Sequence, residues 1–176
     1  MKVYIVRHGQ TDTNIERKYN FRNEDINEKG IQQAEELREK IKDIDFDIIY
    51  CSPLLRARHT ANIINTKKKE IIIDSRLEER NPGNLAGKPL EYTNREIYWD
   101  YYTHKRYGTE ETIEKLFERV NNFLNELKNK GYNKVLVVAH SGVSKAFYAY
   151  FNGIPKDGKF LDLGLKNGEI KEYKLK

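Results

Sequence analysis

The sequence predicts an α/β fold: a three-layer α/β/α sandwich around a mostly parallel central sheet. Three observations carry this. Short runs of β-branched and aromatic residues alternate with longer stretches of helical periodicity, the pattern of strand–helix–strand units. The clearest run, Val135-Leu136-Val137-Val138, is continuously apolar, as a buried strand is. Each strong strand is followed at once by polar residues able to do chemistry, and ligands of parallel sheets bind beyond the strands' carboxyl ends.

The elements follow in order. Val3-Tyr4-Ile5-Val6 reads as a buried strand ending at Arg7. A loop runs to about Ile26. Asn27 is an N-cap, and 28–42 is an amphipathic helix with Ile31, Ala34, Leu37 and Ile41 on one face. Phe46 to Tyr50 is the second strand. Ser52-Pro53 opens a helix, with Ser52 as N-cap and Pro53 at the first helical position. Ile71-Ile72-Ile73 is a short third strand. The stretch 79–107 is irregular and rich in tyrosine, and with its neighbours forms an aromatic cap insertion at about 80–109. A long helix spans about 110–130 and closes at Gly131. Strand 134–139 and helix 142–151 come next. The tail, 160–165 and 169–175, alternates like a hairpin turning at Asn167-Gly168.

At 176 residues the chain fits one domain, since domains cluster near ~100–150 residues. No apolar run reaches the ~20 residues of a membrane span, and the N-terminus lacks a signal-peptide segment, so a soluble, cytoplasmic chain is expected. A single cysteine, Cys51, excludes a disulfide framework and a multi-thiolate zinc site. The net charge of +5 is compatible with nucleic acid and with small anionic substrates alike.

Chemistry converges at the strand ends. Arg7-His8-Gly9-Gln10-Thr11 follows the first strand, Ser52 and Arg56 the second, and His140-Ser141-Gly142 the fourth. If these strands are parallel neighbours, two arginines and two histidines meet at one sheet edge. Guanidinium groups match phosphate oxygens in bidentate geometry, and helix N-termini add N–H donors. Arg7 beside His8 would repel a divalent cation, so no metal and no cofactor is expected. An imidazole can itself attack phosphorus. The leaving alkoxide then needs a proton, for which Glu78 and Glu79 are available. His59 and His104 have no such company. Cys51 to Arg56 is C-x4-R rather than the C-x5-R of cysteine phosphatases, so Cys51 reads as a small apolar strand-end residue.

These residues resemble a known family. Arg7-His8-Gly9-Gln10-Thr11 with Asn14 is similar to the R-H-G-[EQ]-T-x-x-N signature of the histidine phosphatase superfamily, the phosphoglycerate mutase-like group. Gly30 to Ala34, Ser52 to Ala57 with Thr60-Ala61, Leu77-Glu78-Glu79 with Gly83 and Gly87, and Val138 to Gly142 resemble its remaining motifs in the same order. The resemblance implies His8 as nucleophile and Glu79, picked by motif register, as the acid that protonates the leaving group. It implies Arg7, Asn14, Arg56 and His140 as phosphoryl ligands, with His140 also stabilising the transition state. Gln10, Thr11 and Trp99 are expected in the substrate pocket. Departures at Asn23, His59 and Leu85-Ala86-Gly87 bear on the pocket rim.

The resemblance leaves two outcomes for the phosphoryl group, water in a phosphatase or a second hydroxyl in a mutase. The family's mutases are longer and carry more basic residues in the insert; here only Arg95, Lys105 and Arg106 lie between Pro89 and Glu110. The expectation is a metal-independent phosphomonoesterase for a small phosphorylated metabolite, such as α-ribazole phosphate, or a broad-specificity one. Phosphoglycerate mutase is the alternative, and a non-catalytic phosphate- or nucleic-acid-binding module the third reading. A dimer is compatible with the sequence, which selects no oligomeric state.

Overall fold

A computed structural model describes all residues, Met1–Lys176. Its five-stranded sheet has the order β3-β2-β4-β1-β5. β1 (Lys2–Arg7), β4 (Lys134–Ala139), β2 (Ile48–Cys51) and β3 (Ile71–Ile73) are parallel, and β5 (Ile170–Lys174) runs antiparallel to β1. The pleat sends alternate residues to opposite faces. Tyr4, Val6, Ile49, Cys51, Leu136 and Val138 pack against α2 (Glu28–Ile41) and α3 (Leu55–Ile64). Val3, Ile5, Ile48, Tyr50, Val135 and Val137 pack against α5 (Ile113–Leu127) and α6 (Ser141–Asn152). Two helical layers thus enclose one sheet, as the alternation of patterns requires. No helix is long and apolar enough to cross a membrane.

The sequence reading is corrected at five places. The loop after Arg7 contains a one-turn helix, α1 (Asp12–Ile15), capped by Thr11. Ser52 is not an N-cap: α3 begins two residues after Pro53 with Leu54 at the cap and no side-chain bond there, because the Ser52 hydroxyl faces His140 instead. α5 begins three residues later than expected, where the Thr112 side chain accepts from Lys115 N–H, and the Glu110 carboxylate accepts from Tyr107 N–H. The tail is not a hairpin. Leu161–Leu163 is a single 3-10 turn, and β5 finds its partner in β1 at the other end of the sequence. Phe160, fully buried against Phe117, donates its N–H to Trp99 O at 2.9 Å, next to an isolated antiparallel bridge between Asp100 and Lys159. The segment expected to be irregular holds short 3-10 turns and one helical turn, α4 (Arg95–Tyr98).

One close approach fixes the loop after β1. A Cβ on Gly9 would overlap the Gly30 carbonyl, and one on Gly30 would overlap the Gln10 carbonyl. Neither backbone can yield without moving α2 or the loop. Gly30→Ala, which helix propensity alone would favour by ~1 kcal/mol, is therefore expected to destabilise by about 1–3 kcal/mol. Urea unfolding reads this, and an unchanged or raised midpoint would show that the contact is slack.

Candidate active site

Parallel pairing aligns Arg7 with Ala139 and Cys51 with Val138, so residues 8, 52 and 140 leave the sheet side by side. His8 N–H donates to Ala139 O at 3.1 Å and Ser52 N–H to Val138 O at 3.0 Å, continuing the ladders one step past the strands. Above this edge opens a cavity of about 540 Å³, lined among others by Arg7, Asn14, Arg56, Glu79 and Trp99. Seven Arg and Lys side chains line it, opposed only by Glu78 and Glu79.

His8 and His140 lie almost wholly buried at this edge, their ring centroids 5.1 Å apart. His8 Nδ1 lies 2.7 Å from Gly9 O. A carbonyl can only accept, so Nδ1 carries the proton and neutral His8 keeps its lone pair on Nε2. Burial, and then the Arg56 and Arg7 guanidinium groups, hold the His8 imidazole well below the ordinary histidine range. At neutral pH the imidazole is uncharged.

His140 Nε2 stands 2.7 Å from Ser52 Oγ, which also accepts from Leu54 N–H at 3.3 Å. Because Ser52 Oγ already accepts from Leu54 N–H, the tautomer in which it donates to Nε2 and the His140 proton sits on Nδ1 is the favoured one. That Nδ1 is buried without a partner, and so are Arg7 Nε and Arg56 Nε. Unpaired buried donors are costly, and here they cluster beside His8. Arg7 and Arg56 are each held through another nitrogen, by Leu165 O at 2.9 Å and Phe21 O at 3.0 Å. Burial, followed by Arg56, His8 and Arg7, also keeps His140 well below its ordinary range.

The two glutamates part ways. Glu79 lies against the N-terminus of α6, accepting from Gly142 N–H at 3.0 Å and from Arg80 N–H at 2.8 Å. Glu78 forms a two-point ion pair with exposed Arg22, at 2.5 and 2.9 Å. Asn14 lines the cavity, its Oδ1 accepting from Thr11 N–H and Asn167 Nδ2, both at 3.1 Å.

Gln10 and Thr11 do not line the cavity, contrary to expectation. Thr11 is fully buried as the cap of α1, and the Gln10 backbone N–H is held by Gln33 at 2.8 Å. They shape the loop, not the pocket. Trp99 does line it, with an unpaired buried indole N–H. The remaining histidines pair with carboxylates, His59 with Asp25 at 3.0 Å and His104 with Glu114 at 2.5 Å. Cys51 is fully buried, and burial pushes its thiol up to about 12, which leaves it without thiolate character.

Sequence reasoning missed Lys145, Ser52's contact with His140, and Asn167, whose Nδ2 also donates to His8 O at 3.1 Å. Lys145 had a signal: a lysine among the apolar positions of a helix that follows a buried strand. Asn167 had none, since its asparagine-glycine pair reads as an ordinary turn.

An uncharged imidazole with a free nitrogen, backed by unpaired guanidinium donors and with the Glu79 carboxyl group lining the adjoining cavity, can transfer a phosphoryl group. Comparison with known proteins agrees. An uncharacterized phosphatase of Bacillus subtilis, PhoE, is 36% identical over 155 residues, 86% of this chain and 77% of its own. A 2,3-bisphosphoglycerate-dependent phosphoglycerate mutase of Thermoplasma acidophilum is 33% identical over 177 residues, 97% of this chain and 86% of its own. The crystal structure of the alpha-ribazole phosphatase from Shigella flexneri superposes with a TM-score of 0.84 at 25% identity, covering 98% of this chain and 89% of that one. Residues 3–176 match the histidine phosphatase superfamily (branch 1), and the chain belongs to that superfamily.

Proposed function

We propose that the protein is a phosphomonoesterase that hydrolyses a small phosphorylated metabolite through a phosphohistidine on His8, without a metal. The observation that carries this is the neutral, buried His8, its Nε2 free beside the unpaired donors of Arg7, Arg56 and His140. In the first step the Nε2–P bond forms as the P–O bond to the leaving group breaks, and protonated Glu79 gives its proton to the departing oxygen. In the second, water loses a proton to Glu79 as its oxygen bonds to phosphorus, and the N–P bond breaks. Charge on the equatorial oxygens is met by Arg7, Arg56, Asn14 and the His140 Nδ1–H, donors fixed before reaction begins.

The likeness to the Thermoplasma mutase keeps transfer to a second hydroxyl as the competing outcome. The test is phosphate release from an aryl phosphate and a panel of metabolite phosphates, in EDTA. Hydrolysis that survives chelation is expected. Hydrolysis lost to EDTA and restored by a divalent cation, or bisphosphate-primed isomerisation of phosphoglycerate outrunning hydrolysis, would overturn the reading.

A further inference from the structure

Lys145 is the one lysine buried in the molecule, 3% exposed, and the mechanism above does not use it. It stands one helical turn past Ser141 on α6 and faces the cavity. Its Nζ donates to Leu161 O at 2.9 Å and lies 4.9 Å from the centroid of the Trp99 ring. No carboxylate comes within ion-pair distance of it. Of the two cavity glutamates, Glu78 is held by Arg22 and Glu79 by backbone N–H groups. A Cβ on Gly164 would overlap both Lys145 Nζ and Ser141 Oγ, so amine and hydroxyl converge on one spot. The neighbouring Trp99 brings its own unpaired, buried N–H.

Burying an ammonium without a counter-ion is expensive. One facing a ligand cavity can receive its counter-ion from the ligand. The position says which part of the ligand. Arg7, Arg56 and His140 surround His8, whereas Lys145 follows Gly142, whose N–H holds Glu79, the acid at the leaving oxygen. Lys145, Ser141 and Trp99 therefore stand on the leaving-group side of that acid. A lone amine with a hydroxyl suits a singly charged carboxylate; a second phosphoryl group would call for paired guanidinium groups like those beside His8.

We propose that Lys145, with Ser141, forms a carboxylate subsite, so that the preferred substrates are phosphomonoesters whose leaving group carries a carboxylate. This rests on the phosphatase reading above. Burial lowers the Lys145 amine to about 7, with Glu79 and Asp162 opposing and Arg7 and Arg95 reinforcing the shift. The subsite is thus cationic below neutral pH and fades above it.

The test compares pairs that differ in one group: O-phosphoserine against O-phosphoethanolamine, and 3-phosphoglycerate against glycerol 3-phosphate. Wild type should prefer the carboxylated member of each pair by about tenfold or more in kcat/KM, the scale of a hydrogen bond to a charged group. Lys145→Met should bring both ratios to near unity, mainly through KM, and Lys145→Arg should keep most of the preference. The wild-type ratio should also fall as pH rises past about 7, since ionisations common to both members of a pair cancel. No wild-type preference, or a Lys145→Met loss equal for both members, would sink the subsite while leaving the phosphatase reading intact. Calorimetric binding of 3-phosphonopropionate against propylphosphonate needs no turnover. A Lys145-dependent preference for the former, with no hydrolysis of any ester, would uphold the subsite and refute the phosphatase. Equal binding of the two phosphonates would refute the subsite by itself.

Discussion

His8→Ala should lower phosphate release by about four orders of magnitude or more, because it removes the atom that bonds to phosphorus and nothing nearby can replace it. The other candidates are unsuited: His140 Nε2 is tied to Ser52, and the Cys51 thiol is buried and pushed up to about 12. The same substitution should abolish acid-labile phosphate trapped on the protein after mixing with substrate. A residual rate within tenfold of wild type would show that another group attacks. The electrostatics add a second readout. The folded His8 and His140 are held well below the ordinary histidine value, chiefly by burial and then by Arg56, so both are neutral at pH values where an unfolded histidine is charged. The unfolded state then binds more protons than the folded state as pH falls below about 6.5. Stability is therefore lost on acidification, with each of these groups contributing up to about 1.4 kcal/mol per pH unit. Imidazole resonances of His8 titrating at or above 6.5 in the folded protein would contradict this.

Glu79→Gln should give a loss that depends on the leaving group. Glutamine keeps an acceptor for the Gly142 and Arg80 N–H groups but cannot supply a proton. For alkyl phosphates, whose alkoxide departs poorly, the loss is expected near 10²–10⁴-fold. For a nitrophenyl ester, which departs as a stabilised anion, it should be about tenfold or less in the first chemical step. Burst kinetics separate that step from hydrolysis of the phosphoenzyme, where Glu79 would act as base for either ester. Equal losses in the first step for both esters would remove Glu79 from the role of acid. Glu78→Gln is the natural contrast, since its carboxylate is held by Arg22 at the rim.

Much of this architecture was legible in the residues because parallel sheets impose strong patterns. Val135 to Val138 could hardly be anything but a central strand, and the amphipathic stripes of α2 and α5 announce their buried faces. The candidate site was legible for the same reason: polar residues just past strand ends have few other places to go. What escaped was everything set by distant partners. The alternation of residues 169–175 gave a strand but not its neighbour, which lies at the start of the chain. Ser52 beside Pro53 has the local look of a cap, and only the arrival of β4 gives its hydroxyl a better partner in His140. Lys145 stands among apolar helical positions, but a lysine on a helix ordinarily points to water, and its burial depends on Trp99 and the turn at Leu161. Gln10 and Thr11 were drawn into the pocket by their nearness to His8 in sequence, yet the loop turns them toward α1 and α2.

The clasp on His8 has a consequence for how this protein comes into being. Gly168 N–H donates to Arg7 O at 3.0 Å, and Asn167 donates to His8 O at 3.1 Å. The edge of β1 that leads into His8 is thus completed by residues about 160 positions further along the chain. β1 also waits for β4, its parallel neighbour, which follows it by 132 positions in the sequence. Pairings this remote in sequence form late. A nascent chain would therefore carry Arg7 and His8 long before the partners that hold their backbone have been made.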